Sequence, residues 1–436
     1  MPASGSRTKQ PKSEERFAGL SYSADFEKPD WRTSTRQSLV QWFASNARTM
    51  PWRSDPTPYH VWVSEIMLQQ TQVATVIPYF ERFVRRFPDV RSLAEAPIDE
   101  LLGMWEGLGY YRRARSMHAA AQEIVDRFDG TFPSQPDDVL SLPGIGRYTM
   151  GAILSISADQ RLPILEGNTV RVFARWIGLQ EPTGDRISNE LLWHVATMLI
   201  SDLPEPDQKR PDRNRQNRSR QNPNRQNRNQ RSETSSDAGP DEADPREARA
   251  GIINQAAMEL GALICRPKTP ACPACPMATC CRAHLDGQVD VIPGKVKKIQ
   301  YQDRNEFAFV IRHPKRNAFL MRRRGPDERW AGLWDWPRPL DRVFAGADEA
   351  GRAVVDELGF DLRVGKRLHR IKHGVTKYRI RLDVHEAELA APPPRLAAPW
   401  KWCPAGQATS LAMPVTARQI WEKIHGSAAA ESASKA

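Results

Sequence analysis

The stretch from Leu142 to Arg171 constrains this chain most. It opens Leu-Pro-Gly-Ile-Gly-Arg-Tyr-Thr-Met-Gly, continues as an apolar run and closes Pro-Ile-Leu-Glu-Gly-Asn-Thr-Val-Arg. Pro143 ends whatever precedes it, and Gly144 and Gly146 permit a tight turn whose backbone N–H groups stay uncovered. A helix begins at once, with Ile153, Leu154 and Ile156 available to its buried face. A glycine turn on a helix N-terminus is a ready seat for a phosphate. Further on, Glu166 heads another helix beside Gly167. A phosphate seat close to a carboxylate suggests chemistry on a nucleic-acid backbone or sugar. Read alone, Gly-Ile-Gly suits an ordinary interhelical turn equally well.

A chain of 436 residues is long enough for two or three domains with their own cores. No apolar run approaches membrane-spanning length. The first thirty residues are polar and charged, so no secretory signal is expected. A cytoplasmic location follows (nucleoid-associated in a bacterium), where cysteines serve as metal ligands rather than disulfides. The net charge of +11 invites a nucleic-acid partner. The invitation is weaker than it looks. Residues 209–231 hold Lys209, eight Arg and one Asp, which leaves +3 for everything else.

Residues 1–30 read as a disordered tail. Leu39, Val40, Trp42 and Phe43 predict an amphipathic helix within Trp31–Met50, broken by Pro51-Trp52-Arg53. Strand signals are almost absent up to residue 202, so this region is expected to be all-helical. Residues 204–248 are low-complexity, Arg/Asn/Gln-rich and then acidic, and read as a disordered insert within one domain spanning 31–292. A linker over 293–303 leads to an α+β domain at 304–426. There Phe307–Ile311 and Phe319–Met321 suit strands, Val354–Leu358 a helix, and His369–His385 a hairpin. Residues 427–436 read as a second disordered tail.

Val61-Trp-Val-Ser-Glu65-Ile-Met-Leu-Gln-Gln-Thr-Gln72 sets one carboxylate inside an apolar helical stretch. Burial raises a carboxyl pKa towards neutrality, as a general acid requires. The bland alternative is a core-edge glutamate paired with an arginine. The dense amides Gln69, Gln70 and Gln72 could bond base edges or fill the gap left by an extruded base, or simply end a solvated helix. Cys265, Cys272, Cys275 and Cys281 give C-x6-C-x2-C-x5-C within seventeen residues, a metal-site spacing. Zinc and an iron–sulfur cluster both accept four cysteines. Cys280 leaves the last gap ambiguous, and Cys403 stands alone as a structural thiol.

Together these residues resemble the MutY-type adenine DNA glycosylases of the helix-hairpin-helix superfamily. The resemblance rests on Ser64-Glu-Ile-Met-Leu-Gln-Gln-Thr-Gln-Val73, Gly107-Leu-Gly-Tyr-Tyr111, Leu142-Pro-Gly-Ile-Gly146, Asn254-Gln255 and the cysteine spacing. It covers nearly all of 31–292 outside the insert and, more loosely, 304–426. It implies a multidomain architecture: an all-α helix-hairpin-helix glycosylase domain with an iron–sulfur cluster loop at 265–281, then an α+β Nudix-like domain for lesion recognition. It implies excision of adenine mispaired with 8-oxoguanine or guanine in double-stranded DNA, by a monomer. A [4Fe–4S] cluster would sit on Cys265, Cys272, Cys275 and Cys281, the x5 gap selecting Cys281 over Cys280. Glu65 would protonate the leaving adenine while Glu166 stabilises an oxocarbenium-like sugar, a division that fits the charges each step develops. Tyr148 and Asn168 complete the implied catalytic set. Arg53, Gln255 and Glu259 resemble parts of the adenine pocket. Tyr110 and Gln69 resemble strand-wedging residues, and Gln70, Thr71, Gly144 and Gly146 further DNA contacts.

Four positions define the branch and its departures. Bifunctional relatives in the superfamily carry a Schiff-base lysine two residues after the second hairpin glycine; here that residue is Tyr148, and a phenol forms no imine. The acid before Gly-Asn is usually aspartate, whereas Glu166 is one methylene longer. The lesion-sensing pattern is usually His-x-Phe-Ser-His, against His369-Arg-Ile-Lys-His373 here, which makes Ile371 the wedge, replaces the hydroxyl by Lys372 and adds His373 to the DNA contacts. Arg352-Ala-Val-Val-Asp-Glu-Leu-Gly359 resembles a Nudix box with Ala353 in place of a glutamate, which implies recognition without nucleotide hydrolysis. A bifunctional glycosylase/lyase and a non-catalytic lesion-binding protein are the competing readings.

Overall fold

The computed structural model describes residues 16–203, 248–294, 300–340, 342–390 and 396–433. Apart from Ala248, the insert expected over 204–248 lies outside the described residues. The chain divides into two compact units, Met1–Val84 with Glu123–Lys297, and Arg85–Gln122 with Lys298–Ala436.

The first unit is helical, as expected. Its core joins the helices Pro29–Asn46, Gly167–Ile177, Arg186–Ser201 and Ala250–Leu263 through Leu39, Val172, Phe173, Leu191, Val195, Ile253 and Leu260. Two helices that carry the site cross closely. A Cβ on Gly251 would stand 2.3 Å from the carbonyl oxygen of Ser155, so only glycine admits this approach of Ala250–Leu263 to Arg147–Ala158. The disordered tail expected over 1–30 is corrected from residue 16 onward. Phe17 and Phe26 are each 1% exposed in this core, and Ser23 N donates to the carbonyl of Ile177 at 2.7 Å. Two aromatic anchors suffice to pin a segment that is polar on average.

The second unit departs from the expected boundaries. Residues 85–122, assigned to the helical domain from sequence, pack with the C-terminal module instead. Directed polar contacts hold them there. Arg418 makes a bidentate pair with Glu106 at 2.7 and 2.8 Å, Tyr111 Oη donates to the carbonyl of Met413 at 3.1 Å, and Arg323 meets Asp99 at 2.6 Å. None of these long-range pairs has a periodic signature in sequence.

The module carries two three-stranded sheets. In one, β1 (Gln302–Ile311) runs parallel to β5 (Tyr378–Leu389), and β5 pairs antiparallel with β4 (Leu362–Val375). In the other, β2 (Ala318–Arg323) lies between β3 (Trp334–Asp335) and β6 (Trp400–Pro404). The helix Ala347–Leu358 packs Ala350, Val354 and Leu358 against Phe307 and Phe309 of β1. Ala353 also faces this core, so the position lacking a metal-binding carboxylate is used for packing. The last helix, Val415–Ala433, buries Ile420 and Trp421 and continues into the segment expected to be a tail from 427. Residues 434–436 lie outside the described residues.

Phe17→Ala deletes a fully buried ring and should cost about 3–5 kcal/mol of stability in denaturant melts of the full chain. A loss below about 0.5 kcal/mol, usual for a surface substitution, would show that the segment is not part of the core.

Candidate active site

Glu65 sits in the helix Pro58–Leu68, whose N-terminus is capped by Thr57 Oγ1 accepting from His60 N at 3.1 Å. Every residue from Val61 to Met67 is buried, and Glu65 itself is 5% exposed. No guanidinium takes it. Its Oε2 instead accepts a short hydrogen bond from Tyr148 Oη, at the second position of the Arg147–Ala158 helix packed alongside. Burial pushes the Glu65 carboxyl up to about 7; the nearby Glu166 charge adds to this, while the Tyr148 hydroxyl and Arg53 pull the other way. The Tyr148 phenol is itself raised, by burial and by both carboxylates, and stays protonated as the donor.

Glu166 is the N-cap of the helix Gly167–Ile177. Its Oε1 accepts from Thr169 N at 3.0 Å, and Thr169 Oγ1 accepts from Glu166 N at 2.8 Å, closing a reciprocal capping box. The side chain one methylene longer than aspartate still reaches the third helical N–H. Burial raises the Glu166 carboxyl, opposed by hydrogen bonds from Asn168 and Thr169 and by the Arg171 charge. Asn168 is fixed in turn. Its Oδ1 accepts from Arg171 Nη2 at 2.9 Å, and its Cβ lies so near Gly261 that a methyl there would stand 2.7 Å away.

Three residues the sequence reading passed over complete this frame. Arg171 donates to the Cys265 carbonyl at 2.7 Å and the Gly261 carbonyl at 2.8 Å. One turn on, the buried Arg175 donates to Cys265 Sγ at 3.3 Å and to the carbonyls of Arg266 and Ile292 at 2.8 Å. Arg48 pairs with Glu259 at 2.7 and 2.9 Å. The i, i+4 arginines behind a capping acid were the available signal for the first two.

Cys265, Cys272, Cys275 and Cys281 line one cavity with Arg175, Ile264 and His284, and Cys280 is not among its walls. Burial pushes the Cys275 thiol up to about 11 and the Cys281 thiol up to about 12. Among the described residues no three His, Cys, Asp or Glu form a set that could hold a metal ion.

Arg53, Gln255 and Glu259 converge. Arg53 donates to Gln255 Oε1 and to Glu259 Oε2, both at 3.1 Å. Burial alone would raise Glu259, but Arg48 and Arg53 hold it down at about 2. At the hairpin, Gly144 takes φ +79° and Gly146 caps the next helix with no side chain over its first amides. After Glu65's helix, Gln69 is half-buried, Gln70 is exposed at φ +58°, and Thr71 N bonds back to Leu68. In the other unit Tyr110 is 55% exposed at φ +49°, with the Arg113 guanidinium over its ring, 5.5 Å from the centroid.

The expected lesion loop requires correction. Ile371 lies within β4, 7% exposed and packed in the core with Leu382 and Trp336, so it cannot wedge into a duplex without leaving that core. His373 faces inward, its Nε2 at 3.3 Å from Arg338, and burial followed by the Arg338 charge lowers it to about 4. Four residues on, His373-Gly-Val-Thr-Lys377 reads His, spacer, apolar, hydroxyl, cation, with Thr376 supplying the hydroxyl that Lys372 lacks. Thr376 and Lys377 form the exposed two-residue turn between the paired Val375 and Tyr378, with Thr376 at φ +49°. A β-branched residue held there is an outlier.

Comparison with known proteins matches one family model to the helical region, residues 85–122 included, and another to the C-terminal module. A family model described as HhH-GPD superfamily base excision DNA repair protein matches residues 63–196, and one described as NUDIX domain matches 307–423. An adenine DNA glycosylase of Buchnera aphidicola subsp. Schizaphis graminum (strain Sg) is 33% identical over 302 residues, 69% of this chain and 74% of the relative. That of Buchnera aphidicola subsp. Acyrthosiphon pisum (strain APS) is 32% identical over 303 residues, 69% and 73% of the two chains. The Mus musculus adenine DNA glycosylase is 36% identical over 340 residues, 75% of this chain and 55% of the relative.

Tyr148→Phe removes the donor that favours ionised Glu65, so the Glu65 carboxyl should titrate above its present value of about 7. Infrared titration of the protonated carboxyl band measures this directly, and a downward move would reverse the assigned sign.

Proposed function

The chain belongs to the adenine DNA glycosylases of the helix-hairpin-helix base-excision repair superfamily, and we propose that its substrate is adenine mispaired with 8-oxoguanine or guanine in duplex DNA. The observation that carries the mechanism is a buried carboxyl whose hydrogen-bond partner is a neutral tyrosine, an environment in which burial pushes Glu65 up to about 7. Protonated Glu65 gives its proton to a ring nitrogen of the extruded adenine. The bond from C1′ to the base breaks with its electron pair leaving on the purine, and positive charge develops on the sugar. Glu166, held by its capping bonds, faces that cation with a preorganised negative charge. Water then adds to C1′, and the proton it releases returns Glu65 to its acid form. Tyr148 Oη orients Glu65, and with a phenol at this position the enzyme is monofunctional.

Arg53, Gln255 and Glu259 form the polar wall that receives the adenine edge. Gly144 and Gly146 offer backbone amides to a phosphate. Gln69, Gln70 and Thr71 enter the duplex around the extruded base, and the exposed Tyr110 is a further DNA contact. Val375, Thr376 and Lys377 at the hairpin turn take over the lesion contact first assigned to Ile371 and His373.

What supports a [4Fe–4S] cluster is the donor chemistry of four thiols that share one cavity, with Arg175 donating to Cys265 Sγ; as placed they do not yet form a metal-holding set, and binding would draw them together. Bound, the cluster would cross-link the 265–281 loop through its own four thiolates, which Arg171 and Arg175 tie to the Gly167–Ile177 helix, while the excision steps use Glu65, Glu166 and Tyr148. The protein acts as a monomer. No described helix is long and apolar enough to cross a membrane.

Incubation with an adenine:8-oxoguanine duplex should give strand breaks only after hot alkali. Breaks without alkali would mean a lyase, and tight binding with none would mean a lesion-binding protein. Glu65→Gln should bind the duplex yet release no adenine; retention of a tenth of the single-turnover rate would refute the assigned acid. Because the acid form acts, the parent rate should fall as pH rises through about 7.

Purified protein should contain iron. Cys281→Ser should lose it together with much of the folded yield, and Cys280→Ser should lose neither. Stoichiometric zinc after anaerobic purification, or the reverse ranking of the two variants, would overturn the cluster reading.

A further inference from the structure

The sheet that ends in the Thr376–Lys377 turn has one row of side chains whose charges do not balance. Register aligns Gly374, Arg379 and Asp303 across β4, β5 and β1; two residues on it aligns Lys372, Arg381 and Asn305; two further on, Arg370, Asp383 and Phe307. These rows share the face opposite Ile371, Ile380 and Leu382, which are buried. The two outer rows are neutralised. Arg379 meets Asp303 at 2.8 Å, and Arg370 meets Asp383 in a bidentate pair at 2.5 and 2.7 Å. In the middle row Lys372 and Arg381 stand directly opposite one another, both exposed, and neither has an ion-pair partner among the described residues. Asn305, also exposed, completes the row with a neutral amide.

Like charges directly across a strand pair destabilise a sheet. Here that arrangement stands between two rows in which every exposed cation has found a carboxylate. Its position matters as well. Lys372 lies four residues before Thr376 and Arg381 four after Lys377, which sets the row about 13 Å from the turn at the usual strand rise. A planar guanidinium, an ammonium and an amide side by side make a donor set for phosphate oxygens.

We propose that Lys372 and Arg381, assisted by Asn305, clamp two adjacent phosphates of one DNA strand, each cation taking one. Duplex backbone supplies the missing anions at the required repeat, and the clamp sets the hairpin's register on the strand it reads. This placement rests on the hairpin meeting DNA, whereas the clamp's charge neutralisation is measurable without any lesion preference.

The test uses the full chain and a duplex in which the mispaired adenosine carries a 2′-fluoro group to slow excision, with affinity followed by anisotropy across a salt series. Lys372→Gln and Arg381→Gln should each lower the slope of log affinity against log salt by about 0.9, and the double variant by about twice that. Lys372→Arg should keep the parent slope. The melting temperature of the double variant should stay level or rise, because a repulsive pair is removed. An unchanged slope in the double variant overturns the clamp, as does a melting temperature that falls with the affinity. A parent that binds mispaired and fully paired duplexes equally would instead count against the lesion reading, and the slopes on paired DNA would still decide the clamp.

Discussion

The active site depends on taking one carboxylate out of water without giving it a cation. Glu65 lies in a helix whose neighbours from Val61 to Met67 are all buried, and its partner is the neutral hydroxyl of Tyr148. A guanidinium there would have held the carboxyl ionised, as Arg48 and Arg53 hold Glu259 at about 2 one helix away. The contrast between the two acids arises from hydrogen-bond partners, since both are buried. It also has a folding consequence. A carboxyl raised from 4.5 to about 7 contributes its full stability below the unfolded value and loses it as pH rises through about 7. Ionising it inside the fold costs about 3 kcal/mol by the usual conversion. The protein therefore loses its acid and some stability over the same pH range.

The second carboxylate is managed by a helix end. Glu166 spends one oxygen on the Thr169 amide, which fixes the side chain and places the positive end of the Gly167–Ile177 helix beside it. The same helix carries Arg171 and Arg175 on one face, and both reach the Cys265 segment. Local geometry at Glu166 is thus continuous with the backbone that presents the first thiol. The close approach at Gly251 and Gly261 brings the Ala250–Leu263 helix, with Gln255 and Glu259, into the same frame.

In the C-terminal module, buried charge is paired completely. Glu306 receives Arg338 and Arg329, and Asp335 receives Arg324. Removing one member would strand the other, so such pairs are costly to alter whatever they contribute net. Against that background the unpaired Lys372 and Arg381 stand out as groups left for a partner outside the chain.

Much of this protein was legible in its sequence because the signals are local. Proline, paired glycines and a capping acid define the hairpin and the Glu166 helix; an apolar run around Glu65 predicts its burial; cysteine spacing predicts the shared cavity. Alternation within 369–385 predicts the β4–β5 hairpin, which the backbone adopts. What sequence could not supply was the outcome of long-range packing. Phe17 and Phe26 stand in a stretch that is polar on average, and only the packed core shows them to be anchors. Residues 85–122 joined the C-terminal module through Glu106, Tyr111 and Asp99, whose partners lie far away in the chain. Two overlapping segments, 369–373 and 373–377, resemble the lesion pattern in sequence, and strand register puts only the end of the second at the turn. A side chain's face in a sheet alternates with every residue, so pairing decided that Ile371 is core and that Thr376 and Lys377 form the turn.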